Sequence, residues 1–119
     1  TAWDIALGQS PYNSMNLDCG HYIAAGGNNT KETLLALIAA KHDRITTMHI
    51  KDRRSKLNGG NNMPWGQGDT PIKDILNLLK DKKYAIPATI ELEYEIPAGS
   101  DAVKETGNCL AFAKNALGA

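Results

Sequence analysis

The chain has 119 residues, of which 42% are hydrophobic and 22% are charged, a composition typical of one ordinary globular domain. Its 13 basic and 13 acidic residues balance, so no overall electric field favours nucleic acid or an acidic membrane. No apolar run approaches the roughly 18 residues that a membrane span requires. We therefore expect neither nucleic acid nor a membrane as a partner.

The cysteines and the first residue bear on the cellular context of the chain. Cys19 and Cys109 lack the spacing of a metal site, and two cysteines make no disulfide framework, so we expect free thiols. The chain begins at Thr1 rather than at Met, and no signal peptide is visible. These features favour a cytoplasmic protein of which this chain is a fragment.

The first two elements in chain order are a helix and a strand. Residues 3–8 are typical of a helix end. Gly8 and the Ser-Pro pair that follows it terminate this helix. Residues 15–18 alternate between apolar and polar side chains, which predicts a short strand with Asp18 on its polar face. Cys19 then points away from that face and packs under a helix as a small hydrophobic residue.

A second helix and a second strand follow. Asn29 and Glu32 make a capping pair for a helix over residues 30–43. Its predicted apolar stripe consists of Leu34, Leu35, Ile38 and Ala39. Residues 45–50 form the second strand, whose alternation places His49 on the polar face.

The next segment, residues 53–68, is polar and rich in Gly and Asn. It is too long for a simple connection in a compact domain, so we expect a functional loop. Thr70 as N-cap and Pro71 at the first helical position then begin a third helix. Its predicted buried stripe consists of Ile72, Ile75, Leu76 and Leu79.

The last predicted elements are a strand over residues 88–93 and a final helix. Glu91 and Glu93 share the inward face of this strand. Ser100 is the expected N-cap of the helix, and Gly118 ends it. The expected apolar stripe includes Val103, Leu110, Ala113 and Leu117.

This order of elements predicts an α/β fold in which about three parallel strands are covered by outer helices. Strands buried in a doubly wound sheet are apolar on both faces, whereas these strands keep one polar face. That pattern suits the inside of a TIM (β/α)8 barrel, which takes eight strands and ~250 residues. We therefore expect residues 1–119 to be part of a single barrel domain.

Three predicted strands end in residues that bind metals or move protons. Because parallel strands end at one rim, Asp18, His49 and Glu91 should face a common point. Two carboxylates and one imidazole suit a divalent ion such as Mn, Mg, Co or Zn. Each residue also has a simpler interpretation, for example Asp18 as a cap or turn residue and His49 as a core histidine.

Four segments carry a resemblance to a known family. They are residues 17–21 (Leu-Asp-Cys-Gly-His), 49–52 (His-Ile-Lys-Asp), 64–68 (Pro-Trp-Gly-Gln-Gly) and 90–93 (Ile-Glu-Leu-Glu). In this order they resemble the sugar phosphate isomerase/epimerase family, whose members are xylose isomerase-like TIM barrels. The resemblance covers nearly the whole chain and implies the carboxy-terminal part of the barrel, with its last three strands.

The resemblance also implies a site and a reaction. Members hold a divalent metal with two Glu, one Asp and one His, which gives Asp18, His49 and Glu91 as ligands and a further Glu on an earlier strand. Glu91 would also be one of two acid/base carboxylates, and that earlier Glu would be the other. The implied function is a metal-dependent sugar or sugar phosphate isomerase/epimerase that transfers a proton through a metal-stabilised enediolate. The chain alone would be inactive.

Five further residues are candidate substrate contacts: His21, Lys51, Arg53, Trp65 and Glu93. The family resemblance implies the contact for His21, and it places Arg53 or Arg54 near a substrate-binding arginine of some members. Lys51 could neutralise the carboxylates, grip the substrate or be a solvated residue at the strand end. Trp65 either lines the substrate pocket or covers the barrel mouth.

Other functions stay open at this point. An inosose dehydratase-like lyase of the same superfamily would use a similar site. An endonuclease IV-like nuclease carries an Asp-x-His pair where this chain has Gly60 and Asn62, which do not bind zinc in that way. A non-catalytic partial barrel would act by association through its unpaired strand edges. The remaining expected partners are the missing amino-terminal part of the barrel and a second copy in a homo-oligomer.

Overall fold

The structure, a computed structural model, describes residues 1–118, which contain five α-helices and five strands. The helices are α1 (Ala2–Gly8), α2 (Cys19–Ala24), α3 (Lys31–Lys41), α4 (Ile72–Asp81) and α5 (Ala102–Ala116). The strands are β1 (Met15–Asp18), β2 (Ile45–Ile50), β3 (Asp52–Arg53), β4 (Asn62–Met63) and β5 (Ala88–Ile90). β1, β2 and β5 form a parallel sheet in that order, as predicted, and β3 pairs antiparallel with β4.

One face of the parallel sheet is apolar and covered by helices. Leu17, Met48 and Ile50 are at most 2% exposed and belong to the main hydrophobic core. The other face carries Asn16 and Thr89, which are exposed to solvent. Because side chains alternate along a strand, one covered face and one open polar face follow directly from the sequence. This is the arrangement expected of strands from one sector of a barrel.

The three parallel strands end at the same level of the sheet. In the ladder between β1 and β2, Asp18 pairs with His49, and in the ladder between β2 and β5, His49 pairs with Thr89. β5 ends at Ile90, earlier than predicted, but the Glu91 N–H still donates to the Ile50 carbonyl at 2.9 Å. That last ladder bond keeps Glu91 at the rim, although the chain then leaves the sheet.

Helix α4 buries the whole predicted stripe, whereas α3 buries only half of its own. In α4 the buried residues are Ile72, Ile75, Leu76 and Leu79. In α3, Leu34 and Ile38 are buried, Leu35 is half-buried and Ala39 is exposed. The contact of α3 with the core is therefore narrower than the sequence pattern predicts, and Ala39 does not belong to the buried stripe. The helix ends at Lys41 rather than residue 43.

The predicted cap of α3 is wrong by one residue. Thr30 is the N-cap, and its hydroxyl accepts from the Thr33 N–H at 3.2 Å while the Thr33 hydroxyl accepts from the Thr30 N–H at 2.8 Å. Asn29 instead donates its side-chain amide to the Tyr22 carbonyl at 3.0 Å. This bond ties the loop before α3 to the end of α2, which is why Asn29 does not cap the helix.

Thr70 also has a different role from the predicted N-cap. The N-cap of α4 is Pro71, which makes no side-chain capping bond. The Thr70 hydroxyl accepts from the Arg53 N–H at 3.1 Å, and its own N–H donates to the Asp52 carboxylate at 3.1 Å. Thr70 therefore joins the start of α4 to β3, the strand that follows the rim of the sheet.

The burial of α5 differs from the predicted stripe. Val103 is 84% exposed and Leu110 is 45% exposed, so both predictions are wrong, whereas Ala113 and Leu117 are half-buried. The helix turns Glu105 inward, because that carboxylate accepts hydrogen bonds from the hydroxyl groups of Tyr94 (2.9 Å) and Ser100 (2.6 Å).

Ser100 is thus not the N-cap of α5. Asp101 occupies that position, and its carboxylate accepts from the Lys104 N–H at 2.8 Å. The hydrogen bonds from Ser100 and Tyr94 lower the pKa of the Glu105 carboxyl, which therefore stays ionised in its buried position. The predicted end of the helix is confirmed, since Gly118 follows it with a φ of 73°.

The long loop after β2 is more ordered than its composition indicates. Within it, β3 and β4 form a short hairpin, and the buried Asp52 carboxylate accepts from the N–H groups of Gly66 (2.9 Å) and Gly68 (3.0 Å) as well as from Thr70. Burial raises the pKa of Asp52, and the backbone hydrogen bonds oppose this effect. The three N–H bonds hold the loop close to the rim of the sheet.

We predict that Gly68→Ala destabilises the protein by about 2 kcal/mol, because the added methyl group overpacks a closed site. A Cβ at this position would overlap the Asp52 carboxylate and lie 2.9 Å from the Arg53 carbonyl oxygen. Urea unfolding of the two proteins measures the difference.

Gly107→Ala is the matched control for this prediction. Gly107 lies within α5, where an added Cβ meets no atom within 4 Å, so alanine should stabilise the helix slightly. Equal unfolding midpoints for both alanine variants would contradict the proposed close packing around Asp52.

Cys19 and Cys109 are buried free thiols, as expected. Burial, together with the charge of Asp18, raises the pKa of Cys19 to about 12, so this thiol stays protonated beside the rim. Within residues 1–118, no helix combines the length and the apolar content that crossing a membrane requires.

Candidate metal centre

The structure brings the three predicted metal ligands together. Asp18, His49 and Glu91 each offer a ligand atom, and these atoms all lie within 4.8 Å of one another. His49 Nδ1 is 3.1 Å from Glu91 Oε2. Metal–ligand bonds of about 2.1 Å separate neighbouring ligands by roughly 3 Å and opposite ligands by roughly 4 Å. The donor set and its spacing therefore fit one divalent ion.

Asp18 is held at the rim by its own helix cap. It is the last residue of β1 and the N-cap of α2, and its Oδ1 accepts from the His21 N–H at 2.9 Å. Its Oδ2 faces the centre, 3.5 Å from Lys51 Nζ. One oxygen thus orients the side chain, and the other is available as a ligand. An Asp immediately before the first helical residue is a preferred N-cap, and the backbone N–H three residues later is the donor it needs.

Lys51 lies beneath the centre with its ammonium group among three carboxylates. Its side chain is 1% exposed, and Nζ donates to Glu93 Oε1 and lies 3.4 Å from Glu91 Oε2. The solvated-lysine alternative is therefore wrong, whereas charge neutralisation agrees with the contacts. A contact with substrate stays a prediction for both Lys51 and Glu93.

The two partners of this ion pair differ in exposure, and the pKa of each is shifted. Burial lowers the pKa of Lys51, but the hydrogen bond to Glu93 and the negative charges of Asp18, Glu91 and Glu93 outweigh burial, so the pKa is raised overall. The hydrogen bond from Lys51 lowers the pKa of Glu93, whose side chain is 50% exposed. Both groups are therefore charged near neutral pH.

The absence of a side chain at Gly20 leaves room for the aliphatic stem of Lys51. A Cβ on Gly20 would overlap the Lys51 side chain and lie 2.9 Å from the Lys51 carbonyl oxygen. The glycine of the Asp-Cys-Gly-His segment is thus needed because α2 packs directly on the Lys51 stem. Sequence reasoning identified the segment but missed this role, which depends on contact between two different βα units.

His21 and Arg53 form a polar pair beside the ligands. Arg53 Nη1 is 2.6 Å from His21 Nδ1, and Arg53 Nε donates to the Gly60 carbonyl at 2.9 Å. Since a guanidinium group only donates, Nδ1 accepts, and Nε2 lies 3.3 Å from Lys51 Nζ and 3.5 Å from Asp18 Oδ2. Of the two arginines left open by the sequence, the structure brings Arg53 to the centre. Arg54 lies in a separate cleft beside Asp69.

A known protein family matches this chain over almost its whole length. The sequence profile of the xylose isomerase-like TIM barrel matches residues 5–112, almost the whole chain. The chain belongs to the xylose isomerase-like TIM barrel family. The expected resemblance and the partial barrel fold are thereby confirmed.

A solved structure supports the same fold. It is described as a xylose isomerase domain protein from Alicyclobacillus acidocaldarius subsp. acidocaldarius, and it superposes with a TM-score of 0.58 at 22% sequence identity. The match covers 95% of this chain and 42% of that protein. The chain thus spans less than half the length of this structural relative. No match was found among curated proteins.

Trp65 packs against α5. Its ring packs edge-on against Phe112 of α5, with the ring centroids 6.1 Å apart. It lines a cavity of about 220 Å³ together with Tyr94 and Cys109, and none of the three candidate metal ligands lines that cavity. The proposed substrate contact of Trp65 stays a prediction, whereas its packing against α5 is a structural role.

A cavity of about 500 Å³ adjoins the candidate metal centre of this partial barrel along the outer edge of β1. Asp18, His21, Tyr22 and Asn29 are among the residues that line it. Asn29 also lines a larger cavity of about 650 Å³ beside the loop after β2. Sequence reasoning assigned Asn29 only to a helix cap, so its place between the two cavities was missed.

Proposed function

We propose that the protein containing this chain is a divalent-metal-dependent isomerase or epimerase of a sugar or sugar phosphate. The observation that carries the proposal is the cluster of Asp18, His49 and Glu91 at the rim of a xylose isomerase-like barrel. Its members come from the ends of β1 and β2 and from the residue after β5, three segments far apart in the chain. A divalent ion such as Mn, Mg, Co or Zn suits two carboxylates and one imidazole.

Glu91 is the proposed acid/base residue. Its Oε2 contacts His49 and Lys51, and the carboxylate has a second oxygen that can take a proton from a carbon next to a carbonyl group. The side chain is 29% exposed, so a substrate can reach it. When bound, the divalent ion would supply a Lewis acid that neutralises negative charge developing on the substrate oxygens.

His21 and Arg53 are the proposed substrate-orienting pair. The His21 side chain is 58% exposed, and its Nε2 lies 3.5 Å from Asp18 Oδ2. Arg53 brings a fixed positive charge to the same edge of the centre, where a hydroxyl or phosphate oxygen can accept its hydrogen bonds. These contacts would hold the reacting carbon near Glu91.

The active site of the proposed enzyme requires residues beyond this chain. We propose that a further Glu from an earlier strand supplies the fourth ligand and the second acid/base carboxylate. The outer edge of β1 has no partner strand among residues 1–118, and the cavity along that edge is where a preceding βα unit would pack. Residues 1–119 alone should therefore be inactive.

The nuclease alternative has no support in the loop after β2. Gly60, which has a φ of 72°, has no side chain that could bind zinc, and its carbonyl accepts a hydrogen bond from Arg53. Asn62 lies in β4, and its amide is not a zinc ligand of that enzyme class. The inosose dehydratase-like lyase would use the same centre, so only the identity of the reaction product distinguishes it from the isomerase or epimerase.

The test is turnover of the full-length protein with Mn²⁺ in D₂O, on a panel of aldoses, ketoses and their phosphates. We expect a stereoisomer or the aldose–ketose partner as product, with solvent deuterium on the carbon that exchanged a proton. Mass spectrometry and proton NMR measure both changes, and chelator-treated protein is the control.

Three other results would contradict the proposal. Loss of one water from the product would indicate the lyase. Product without deuterium would exclude proton exchange with solvent at Glu91. Absence of turnover across the panel, with the protein folded and loaded with Mn²⁺, would favour the non-catalytic partial barrel.

A further inference from the structure

We propose that Lys51 is a built-in counter-cation that holds the carboxylates of Asp18, Glu91 and Glu93 together in the absence of metal and shares them with the ion when it binds. Lys51 is thus a positioning residue that acts through the ligands. The part of this inference that concerns the ion rests on the proposed function. The part that concerns the carboxylates does not.

The contacts of Lys51 carry the first step. Its Nζ lies 3.5 Å from Asp18 Oδ2 and 3.4 Å from Glu91 Oε2, and it donates to Glu93. These carboxylates come from opposite edges of the sheet, on either side of the strand that leads into Lys51. The lysine side chain is 1% exposed, and the missing side chain at Gly20 leaves room for its stem. The ammonium group is therefore placed by packing as well as by charge.

Mutual repulsion makes such a cation necessary. Three carboxylates around one point repel one another, and partly buried carboxylates without a counter-charge separate or take up protons. Arg53 is directed to His21 rather than to these carboxylates. His21 lies 3.5 Å from Asp18 and His49 lies 3.1 Å from Glu91, but among the described residues neither ring pairs with all three carboxylates. Lys51 is the cation that contacts all three carboxylates.

The same position affects the binding of metal. The oxygens that Lys51 contacts on Asp18 and Glu91 belong to two of the three candidate ligands. A divalent ion there would be repelled by an ammonium group a few ångströms away. Glu93 is outside the ligand cluster and accepts the shortest contact of Lys51, so it is the partner that Lys51 keeps when the ion engages the other two.

Four variants of the full-length protein test the inference: Lys51→Met, Lys51→Arg, Glu93→Gln and the double variant Lys51→Met/Glu93→Gln. Methionine keeps the length of the stem without the charge, and arginine keeps the charge. Thermal unfolding is measured after removal of metal, and Mn²⁺ affinity is measured by titration with electron paramagnetic resonance. Neither readout depends on enzyme activity.

We expect Lys51→Met to lower the Tm of the metal-free protein by several degrees and to bind Mn²⁺ on the order of tenfold more tightly. Lys51→Arg should retain most of the original Tm. Glu93→Gln should restore part of the Tm lost in Lys51→Met, because one repelling charge is removed. Recovery of folded protein in the double variant supports the inference even if Lys51→Met alone does not fold.

The inference fails if Lys51→Met unfolds at the original Tm, or if Lys51→Arg is as damaged as Lys51→Met. Strictly additive effects of Lys51→Met and Glu93→Gln would also overturn it. Unchanged or weaker Mn²⁺ affinity in Lys51→Met would overturn the part that concerns the ion. If the unaltered protein binds no Mn²⁺, the proposed function fails, whereas the Tm measurements still decide the role of Lys51.

Discussion

Glu91→Gln in the full-length protein is expected to lower the turnover of sugar by about a thousandfold, because the amide cannot accept the proton that the carboxylate removes. Gln has nearly the same size, and its carbonyl oxygen can still accept hydrogen bonds from His49 and Lys51. Since Glu91 is 29% exposed, the fold should tolerate the change. The rate of deuterium incorporation from D₂O measures the loss.

Glu95→Gln is the matched control for this variant. Glu95 lies four residues further along the same segment and is exposed, so its replacement should leave both turnover and stability unchanged. Turnover of Glu91→Gln close to that of Glu95→Gln would remove Glu91 from the reaction. A Tm measurement on both variants separates a chemical effect from unfolding.

Asp18→Ala is expected to abolish measurable Mn²⁺ binding and to lower the free energy of unfolding by about 1 kcal/mol, because Asp18 is both a proposed ligand and a helix cap. Asp18→Asn separates the two roles. Asparagine is an equally good N-cap, so the bond to the His21 N–H can remain while the charged ligand is lost. Mn²⁺ titration and urea unfolding measure the two effects independently.

Thr30→Ala provides the control for the capping effect. It removes the N-cap of α3, a helix whose cap does not contribute to the ligand cluster, and should lower stability by about 1 kcal/mol with unchanged Mn²⁺ affinity. Tight Mn²⁺ binding by Asp18→Ala would contradict the ligand assignment. Weak binding by Thr30→Ala would show that general loss of stability, rather than loss of a ligand, explains the result.

The strand ends could be predicted because they depend on local patterns and one topological rule. Alternation along β1 and β2 places Asp18 and His49 on the polar face, and a parallel arrangement puts their ends at one rim. The buried stripe of α4 follows from helical periodicity in the same way. No long-range contact had to be known for these predictions.

The errors occur where a polar residue has several partners within reach. Asn29 and Thr30 both suit an N-cap, and the bond from Asn29 to Tyr22 decides between them. The predicted apolar stripe of α5 was wrong because Glu105 is buried, where it accepts hydrogen bonds from Tyr94 and Ser100. Residue type alone places a glutamate outside, and only the position of its partners reverses that placement.

The sequence by itself determined the order of the three parallel strands and of four of the five helices described, the two faces of the strands and the three side chains that meet at the rim, because these features follow from short-range periodicity and parallel pairing. Helix α2 and the hairpin of β3 and β4 were not predicted. Only the tertiary structure decided that Lys51 is buried among the carboxylates and that Trp65 packs edge-on against Phe112 of α5. The physical reason is that the burial of a charge or a ring depends on distances between segments far apart in the chain, which local pattern does not contain.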